Sequence, residues 1–109
     1  MKPFDICIAY ISWGVSGKRR PVLVYAINDT FVRIFPITTQ YKRKSEVIRA
    51  RHFKINDFSQ AGLDMQSYVD TGTRLKLPLS VFDNVTPIGG LTQSDKQRLL
   101  EFLTKYYNQ

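Results

Sequence analysis

The stretch RPVLVYAINDTFVRIFPITTQ, residues 20–40, predicts a β-hairpin. Residues 22–27 are almost continuously apolar, which is the pattern of a strand buried on both faces. Residues 28–29 are Asn and Asp, which favour a tight turn, and residues 31–37 form a second apolar run. We therefore expect the two runs to pair as neighbouring antiparallel strands.

The hairpin would bring a cation and a hydroxyl together at its open end. Arg20 precedes the first strand and Thr38 follows the second, so pairing places them side by side. A guanidinium offers a planar fork of donors that suits a phosphate, and a threonine hydroxyl adds a neutral donor. The ordinary alternative is a solvated strand end next to a β-forming residue at a turn, and the chemistry of the two residues alone favours it.

Outside the hairpin the sequence predicts a mainly β chain with a helical end. Further strands are expected at residues 4–10, at 47–55 as an exposed strand, at 67–77 with a bend at Gly72, and at 81–82. The connections are expected to be a loop at residues 12–19, a mobile loop at 41–45, and a helical turn at 56–61 that ends with Gly62 in a left-handed conformation.

The clearest helix is expected at residues 94–107. Thr92 is a typical N-cap, with Asp95 three residues later. Apolar side chains recur at helical spacing, at Leu99, Phe102, Leu103, Tyr106 and Tyr107. This stripe indicates core or dimer packing.

Length and composition indicate one folded domain over residues 1–109. Hydrophobic residues make up 43% of the chain, and 7 Phe, 6 Tyr and 1 Trp argue against a disordered tail. The single cysteine, Cys7, fits a reducing compartment. The N-terminus does not resemble an export signal and no apolar run approaches the roughly 20 residues that span a bilayer, so we expect a cytoplasmic protein with no membrane partner.

The net charge of +7 points to a polyanionic partner. Cations and aromatic rings are interleaved on both sides of the hairpin's open end, a combination that single-stranded nucleic acid binding uses. A solvated, charged surface is the simpler alternative. The candidate RNA-binding residues are Lys18, Arg19, Gln40, Tyr41, Lys42, Arg43, Lys44, Arg49 and Arg51.

No metal or cofactor motif appears in the sequence, since there is one His, one Cys and no close group of carboxylates. Without a metal, RNA is cleaved by attack of its own 2′-OH on the adjacent phosphate, and the protein moves protons and stabilises charge. DNA lacks that hydroxyl. His52 is a chemically natural acid or base, although a lone histidine more often packs or stacks.

The order of these segments resembles the PemK/MazF family of toxin endoribonucleases. The similarity rests on RPVLV, the following PIT-x-Q, Gly62-Leu63-Asp64, Ser67-Tyr68-Val69, Ile88-Gly89-Gly90-Leu91 and the terminal helix, and it spans roughly residues 4–103. It implies a small SH3-like β-barrel of the MazF/CcdB type with a C-terminal helix.

The same resemblance implies an activity and partners. Arg20 and Thr38 match the catalytic Arg and Thr of similar toxins, and similar proteins often carry a histidine near position 52. Family members form homodimers and cut single-stranded RNA at short sequences to leave 2′,3′-cyclic phosphate and 5′-OH ends. An acidic antitoxin neutralises them, and a chain with a charge of +7 suits such a partner.

The chain also departs from the family pattern. Phe4 replaces the usual Gly before Asp5, residues 41–54 are unusually basic, and Thr71-Gly72-Thr73-Arg74 stands where many relatives have a Glu-Gln-Ile-Arg-like run. Two other readings therefore stay open. One is a CcdB-like protein that poisons DNA gyrase by contact, and the other is a non-catalytic basic barrel that binds nucleic acid.

Overall fold

A computed structural model describes residues 1–13 and 16–107. Its strands are β1 Asp5–Trp13, β2 Ser16–Ile27, β3 Phe31–Thr38, β4 His52–Lys54, β5 Tyr68–Asp70, β6 Leu75–Pro78 and β7 Gly89–Gly90. Its helices are α1 Glu46–Arg49, a 3₁₀ turn Leu79–Phe82 and α2 Gln93–Tyr107. The expected mainly β architecture with a C-terminal helix is confirmed.

All strand pairs in the described part of the chain are antiparallel. The order across the sheet is β4-β5-β3-β2-β1-β7, and β6 also pairs with β3. The edge of β3 is shared, because β6 pairs with its first half and β5 with Ile37 and Thr38. This division curls the sheet and brings β4 and β5 beside the open end of the hairpin.

The predicted hairpin of β2 and β3 is confirmed. Val22 lies opposite Pro36 and Leu23 opposite Phe35. Both faces of the hairpin are buried: Leu23 and Phe35 pack in a core with Leu99 of α2, while Val22 joins a second core on the other face. The continuous apolar run in β2 reflects this burial from two sides.

The loop expected at residues 12–19 is wrong. β1 continues through Trp13, β2 begins at Ser16, and only residues 14 and 15 of the expected loop lie outside the described residues. Gly17 is a strand residue that makes room for the ring of Tyr10, since a Cβ there would lie 2.3 Å from the Tyr10 hydroxyl oxygen. The glycine serves a close approach and not a turn.

The exposed strand expected at residues 47–55 is also wrong. Ser45 caps the short helix α1 by accepting a 3.3 Å hydrogen bond from the Ile48 N–H, and this ends the extended pattern. Only β4 remains as a strand, and its residues His52 and Phe53 are buried because β4 pairs with β5. The preceding segment includes a turn in which the Lys44 N–H donates to the Tyr41 carbonyl.

Residues 67–77 form two strands and a turn where one bent strand was expected. β5 and β6 pair with opposite ends of β3, so the chain turns at Thr71 and Gly72 between them. The strand expected at residues 81–82 is part of the 3₁₀ turn. The turn before Gly62 is confirmed, and Gly62 has φ of 90°.

The terminal helix is confirmed with its cap. α2 begins at Gln93, and the Thr92 hydroxyl oxygen accepts a 3.2 Å hydrogen bond from the Asp95 N–H. Leu99 is fully buried, and Phe102 and Leu103 pack against the same core. Tyr106 and Tyr107 are partly exposed, so the end of the stripe reaches the surface.

Candidate nucleic-acid interface

The register of the hairpin, continued beyond its last paired residues, would set Arg20 opposite Thr38. The paired residues end at Val22 opposite Pro36, and continuing that register by two residues sets Arg20 opposite Thr38. Directly opposed residues of antiparallel strands project from the same face. Both residues are half-buried at the end of the ladder.

The same row of side chains continues into the next two strands. Thr38 lies opposite Tyr68 of β5, and Tyr68 lies opposite Lys54 of β4. A cation, a hydroxyl, an aromatic ring and a second cation therefore follow one another across one face of the sheet. This sequence of groups suits a phosphate next to a flat base.

Thr38 is held by the turn that follows β3. Its hydroxyl oxygen accepts a 2.9 Å hydrogen bond from the Gln40 N–H. That contact fixes the oxygen and leaves the hydroxyl hydrogen to donate. Thr38 can therefore donate to a negatively charged oxygen without breaking the turn.

A groove of about 430 Å³ lies beside this row. Its lining contains two cations, two tyrosines and no carboxylate. The lining residues are Thr39, Gln40, Tyr41, Lys42, Arg43, Met65, Gln66 and Tyr68. Lys42 and Arg43 are exposed at the surface of the groove.

An aromatic stack forms one wall of the groove. The rings of Tyr41 and Tyr68 are nearly parallel, with centroids 4.3 Å apart and planes 8° apart. The Arg49 guanidinium lies over the Tyr41 ring, with its central carbon 5.7 Å from the centroid. Tyr41 therefore makes both a stacking contact with Tyr68 and a cation–π contact with Arg49.

His52 lies beneath this stack and is buried. Its side chain is 2% exposed, and its ring centroid is 6.1 Å from that of Tyr41 and 6.5 Å from that of Tyr68. Burial lowers the pKa of His52, and the positive charges of Lys44 and Arg51 lower it further. The Asp70 carboxylate, with an oxygen 4.0 Å from Nε2, acts in the opposite direction and raises it. The imidazole is therefore neutral at pH 7, and its catalytic role stays a prediction.

The structure brings some of the predicted RNA-binding residues together and leaves others apart. Gln40, Tyr41, Lys42 and Arg43 line the groove, Arg49 supports Tyr41, and Lys44 is exposed next to them. Lys18 and Arg19 are exposed in the part of β2 that pairs with β1, and they do not line the groove.

Arg51 is placed differently from the groove residues. Its side chain packs against Gly72 in the β5–β6 turn, since a Cβ on Gly72 would lie 2.6 Å from the Arg51 Cδ. Its Nε is buried without a hydrogen-bond partner among the described residues. Its carbonyl oxygen accepts hydrogen bonds from the N–H and the hydroxyl of Thr71.

Met65, Gln66 and Tyr68 line the groove but are absent from the residues that the sequence suggested. Tyr68 belongs to a segment that the sequence predicts as a strand. Nothing local to it shows that β5 pairs with the end of β3, and only that pairing places the ring beside Thr38. The alternating pattern of this segment predicts a strand, but it does not show which other strand β5 pairs with.

The described residues contain neither a candidate metal site nor a candidate membrane-spanning helix. Within residues 1–13 and 16–107, no three His, Cys, Asp or Glu side chains converge as metal ligands would. In the same residues, no helix has both the length and the apolar character needed to cross a bilayer.

The fold is shared with solved bacterial toxins. The structure of Mycobacterium tuberculosis toxin MazF-mt6 superposes with a TM-score of 0.71 and 24% identity, over 95% of this chain and 96% of that one. A second structure, described as an Mtb toxin, gives a TM-score of 0.65 and 21% identity, over 93% of this chain and 99% of that one. No protein-family model and no curated protein sequence matches the chain. The chain therefore has the MazF fold, as its segment order led us to expect.

Proposed function

We propose that this chain is a MazF-like toxin of a type II toxin–antitoxin system. In this proposal it is a sequence-specific endoribonuclease that cleaves single-stranded mRNA without a metal. The observation that carries the proposal is the hairpin register, which, continued by two residues, would bring Arg20 and Thr38 together next to a basic, aromatic groove. The shared fold with a MazF toxin supports it.

The proposed reaction is an internal phosphoryl transfer. The 2′-oxygen attacks the adjacent phosphorus, the P–O5′ bond breaks, and the products carry a 2′,3′-cyclic phosphate and a 5′-OH. The 2′-OH gives up a proton and the leaving O5′ gains one, so no other reagent is consumed. Negative charge accumulates on the non-bridging oxygens as the new bond forms.

Arg20 and Thr38 stabilise that charge in this mechanism. A guanidinium is a strong phosphate ligand and a poor base, so Arg20 holds the phosphate. Thr38 donates its hydroxyl hydrogen to a non-bridging oxygen while Gln40 fixes the hydroxyl oxygen. His52 is the candidate for proton transfer, and a neutral imidazole is the form that accepts a proton.

The proposal also covers organisation and partners. We take residues 1–109 as one toxin domain that acts as a cytoplasmic homodimer. An acidic antitoxin would neutralise it by competing with RNA for the cations of the groove, and the net charge of +7 supports a partner of that sign.

The test is cleavage of a long single-stranded RNA in EDTA, with analysis of the product ends. The wild type is expected to give discrete fragments with 2′,3′-cyclic phosphate ends, and Arg20→Ala is expected to bind RNA but leave it intact. Arg33→Ala is the matched control, because Arg33 is exposed near the other end of the hairpin, on β3. Equal loss in both variants would contradict a specific role for Arg20.

The same assay separates the two other readings. A folded wild-type protein that binds RNA and leaves it intact would indicate a non-catalytic binding barrel. A protein that neither binds nor cleaves RNA, but inhibits DNA gyrase in a supercoiling assay, would indicate a CcdB-like poison. Changes near the C-terminus, and not Arg20→Ala, would then reduce its effect.

A further inference from the structure

Tyr68 is placed to contact a base next to the phosphate that Thr38 would bind. It lies directly opposite Thr38, and opposed residues of antiparallel strands have Cβ atoms about 4.5–5.5 Å apart. The Tyr68 side chain is longer than that of Thr38 and extends further from the sheet, so the two can contact different parts of one nucleotide. A base can therefore reach Tyr68 while its phosphate contacts Thr38.

Tyr68 stacks on Tyr41 and is only half-buried, so part of the residue is accessible at the groove. The Tyr41 ring centroid is 4.3 Å away, and among the described residues the next ring is His52, tilted by 35° at 6.5 Å. Arg49 also contacts the Tyr41 ring, so the aromatic pair is held by a neighbouring cation. A rigid, supported platform binds a base with little loss of side-chain entropy.

Gln66 adds a polar group whose orientation is fixed. Its amide nitrogen donates to the carbonyl oxygens of Ile55 at 2.8 Å and Ser67 at 3.1 Å. Both amide hydrogens are thereby used, and the amide oxygen is the atom of the side chain that remains to accept. Since Gln66 lines the groove with Tyr68, the groove presents an acceptor beside the platform.

We propose that this groove is a nucleobase subsite, in which an unpaired base stacks on Tyr68 and donates an exocyclic amino hydrogen to the Gln66 amide oxygen. The proposal rests on the endoribonuclease function above and adds the class of base that it reads. Cytosine, adenine and guanine each carry an exocyclic amino group, whereas uracil has a carbonyl oxygen where cytosine has its amino group. The exposed Lys42 and Arg43, with no carboxylate in the lining, suit the flanking phosphates.

The stacking contact is tested with oligonucleotides that bind but are not cleaved. Fully 2′-O-methylated RNA lacks the attacking hydroxyl, so fluorescence anisotropy measures affinity alone. Tyr68→Leu keeps an apolar side chain without a π face and is expected to weaken binding about 5- to 100-fold, while Tyr68→Phe stays close to wild type. The dependence of affinity on salt is expected to be unchanged, because no charge is removed.

Tyr106→Leu is the control for loss of a tyrosine. Tyr106 lies on α2, is 38% exposed and does not line the groove. Its replacement is expected to leave RNA affinity unchanged. Equal affinities for the Leu and Phe variants at position 68 would overturn the stacking proposal.

The polar contact is tested with matched pyrimidines. The wild type is expected to bind 2′-O-methyl oligocytidine about 3- to 10-fold more tightly than oligouridine of equal length, as one hydrogen bond allows. Gln66→Leu is expected to remove that preference. Wild-type protein that binds oligouridine as tightly as oligocytidine would overturn the role of Gln66.

These results are distinguishable from failure of the proposed function. If unmodified RNA stays intact while the position-68 variants differ in affinity, the endoribonuclease proposal fails and the subsite stands. If RNA is cleaved normally by Tyr68→Leu with undiminished affinity, the subsite fails alone. Binding of an acidic peptide that depends on Tyr68, with no binding of methylated RNA, would also overturn the subsite.

Discussion

At the scale of single residues, the hydroxyl of Thr38 is the most informative group to remove. Thr38→Val keeps the β-branched shape and loses the donor, so cleavage is expected to fall about 100- to 1,000-fold with RNA affinity nearly unchanged. Losing the acceptor for the Gln40 N–H costs about 1 kcal/mol of stability. Single-turnover cleavage and anisotropy together measure the two effects.

Thr38→Ser and Thr30→Val are the controls for that experiment. Serine restores the hydroxyl, and Thr30 is an exposed threonine in the turn at the closed end of the same hairpin. Both variants are expected to cleave at close to the wild-type rate. A slow Thr38→Ser enzyme would show that packing, and not the hydroxyl, is what position 38 contributes.

The buried His52 makes stability depend on pH. Because burial lowers its pKa in the folded protein, the unfolded chain takes up the proton first as the pH falls below about 6.5. The contribution of neutral His52 to the free energy of unfolding is therefore complete above that pH. It is lost progressively as the pH falls towards the pKa of His52 in the folded protein. Urea unfolding of wild type and His52→Gln measures this effect.

The expected result is a loss of wild-type stability, relative to His52→Gln, as the pH is lowered. The stability of the wild type relative to His52→Gln is expected to fall between about pH 7.5 and about pH 5.5, because the variant lacks the titrating group. Other acids and bases titrate in both proteins and cancel in the comparison. A constant difference over this range would show that burial does not disfavour the charged imidazole.

The sequence led us to propose Arg20 and Thr38 as site residues, but not Tyr68 or Gln66. The two pairs differ in how far apart along the chain their partner segments lie. The first two belong to one hairpin, whose strands are joined by a turn that the sequence shows. The other two reach the site through pairing of β3 with β5, which lies about 30 residues further along the chain. Local patterns carry no information about that pairing.

At the scale of elements, Asp95 joins the start of α2 to the segment that follows β4. Its side chain is 1% exposed. The carboxylate accepts hydrogen bonds from the N–H groups of Asn56 and Asp57, and the Arg98 guanidinium donates to it at 2.6 Å. Asp95→Ala is expected to cost about 2–3 kcal/mol, because two N–H groups lose a charged acceptor. Urea unfolding at neutral pH measures the cost.

Glu101→Ala is the control on the same helix. Glu101 is exposed, and its loss is expected to change stability by no more than about 0.5 kcal/mol. Comparable losses in the two variants would mean that α2 is sensitive to any loss of negative charge. The contacts of Asp95 would then not explain its effect.

Elements with local signals were predicted well, and elements defined by distant partners were not. Thr92, Asp95 and the apolar stripe of α2 lie within one helix, so the prediction of α2 was correct to within a residue. Residues 12–19 contain two glycines that normally indicate a loop, yet most of them are strand because β1 and β2 pair as far as Trp13 opposite Ser16. The extended-looking residues 46–49 form α1 because Ser45 caps them.

At the scale of the whole molecule, charge and fold act together. The net charge of +7 predicted a polyanionic partner but not its location, because charge is counted without geometry. The curled sheet brings Lys42 and Arg43 beside the Thr38–Tyr68 row, whereas Lys76 lies on β6 and Lys2 precedes β1. The fold therefore shows where the basic surface lies, which the net charge alone does not.

That location predicts an uneven dependence of RNA binding on salt. For single-stranded RNA, each neutralised phosphate contributes about −0.7 to the slope of log affinity against log salt. The double variant Lys42→Gln, Arg43→Gln is expected to reduce the magnitude of the slope by about 1.4 and to weaken binding to all sequences alike. The double variant Lys2→Gln, Lys76→Gln removes the same charge elsewhere and is expected to leave the slope unchanged. Titrations of methylated RNA at several salt concentrations measure both slopes, and equal reductions would show that RNA responds to net charge and that the groove has no special part in binding.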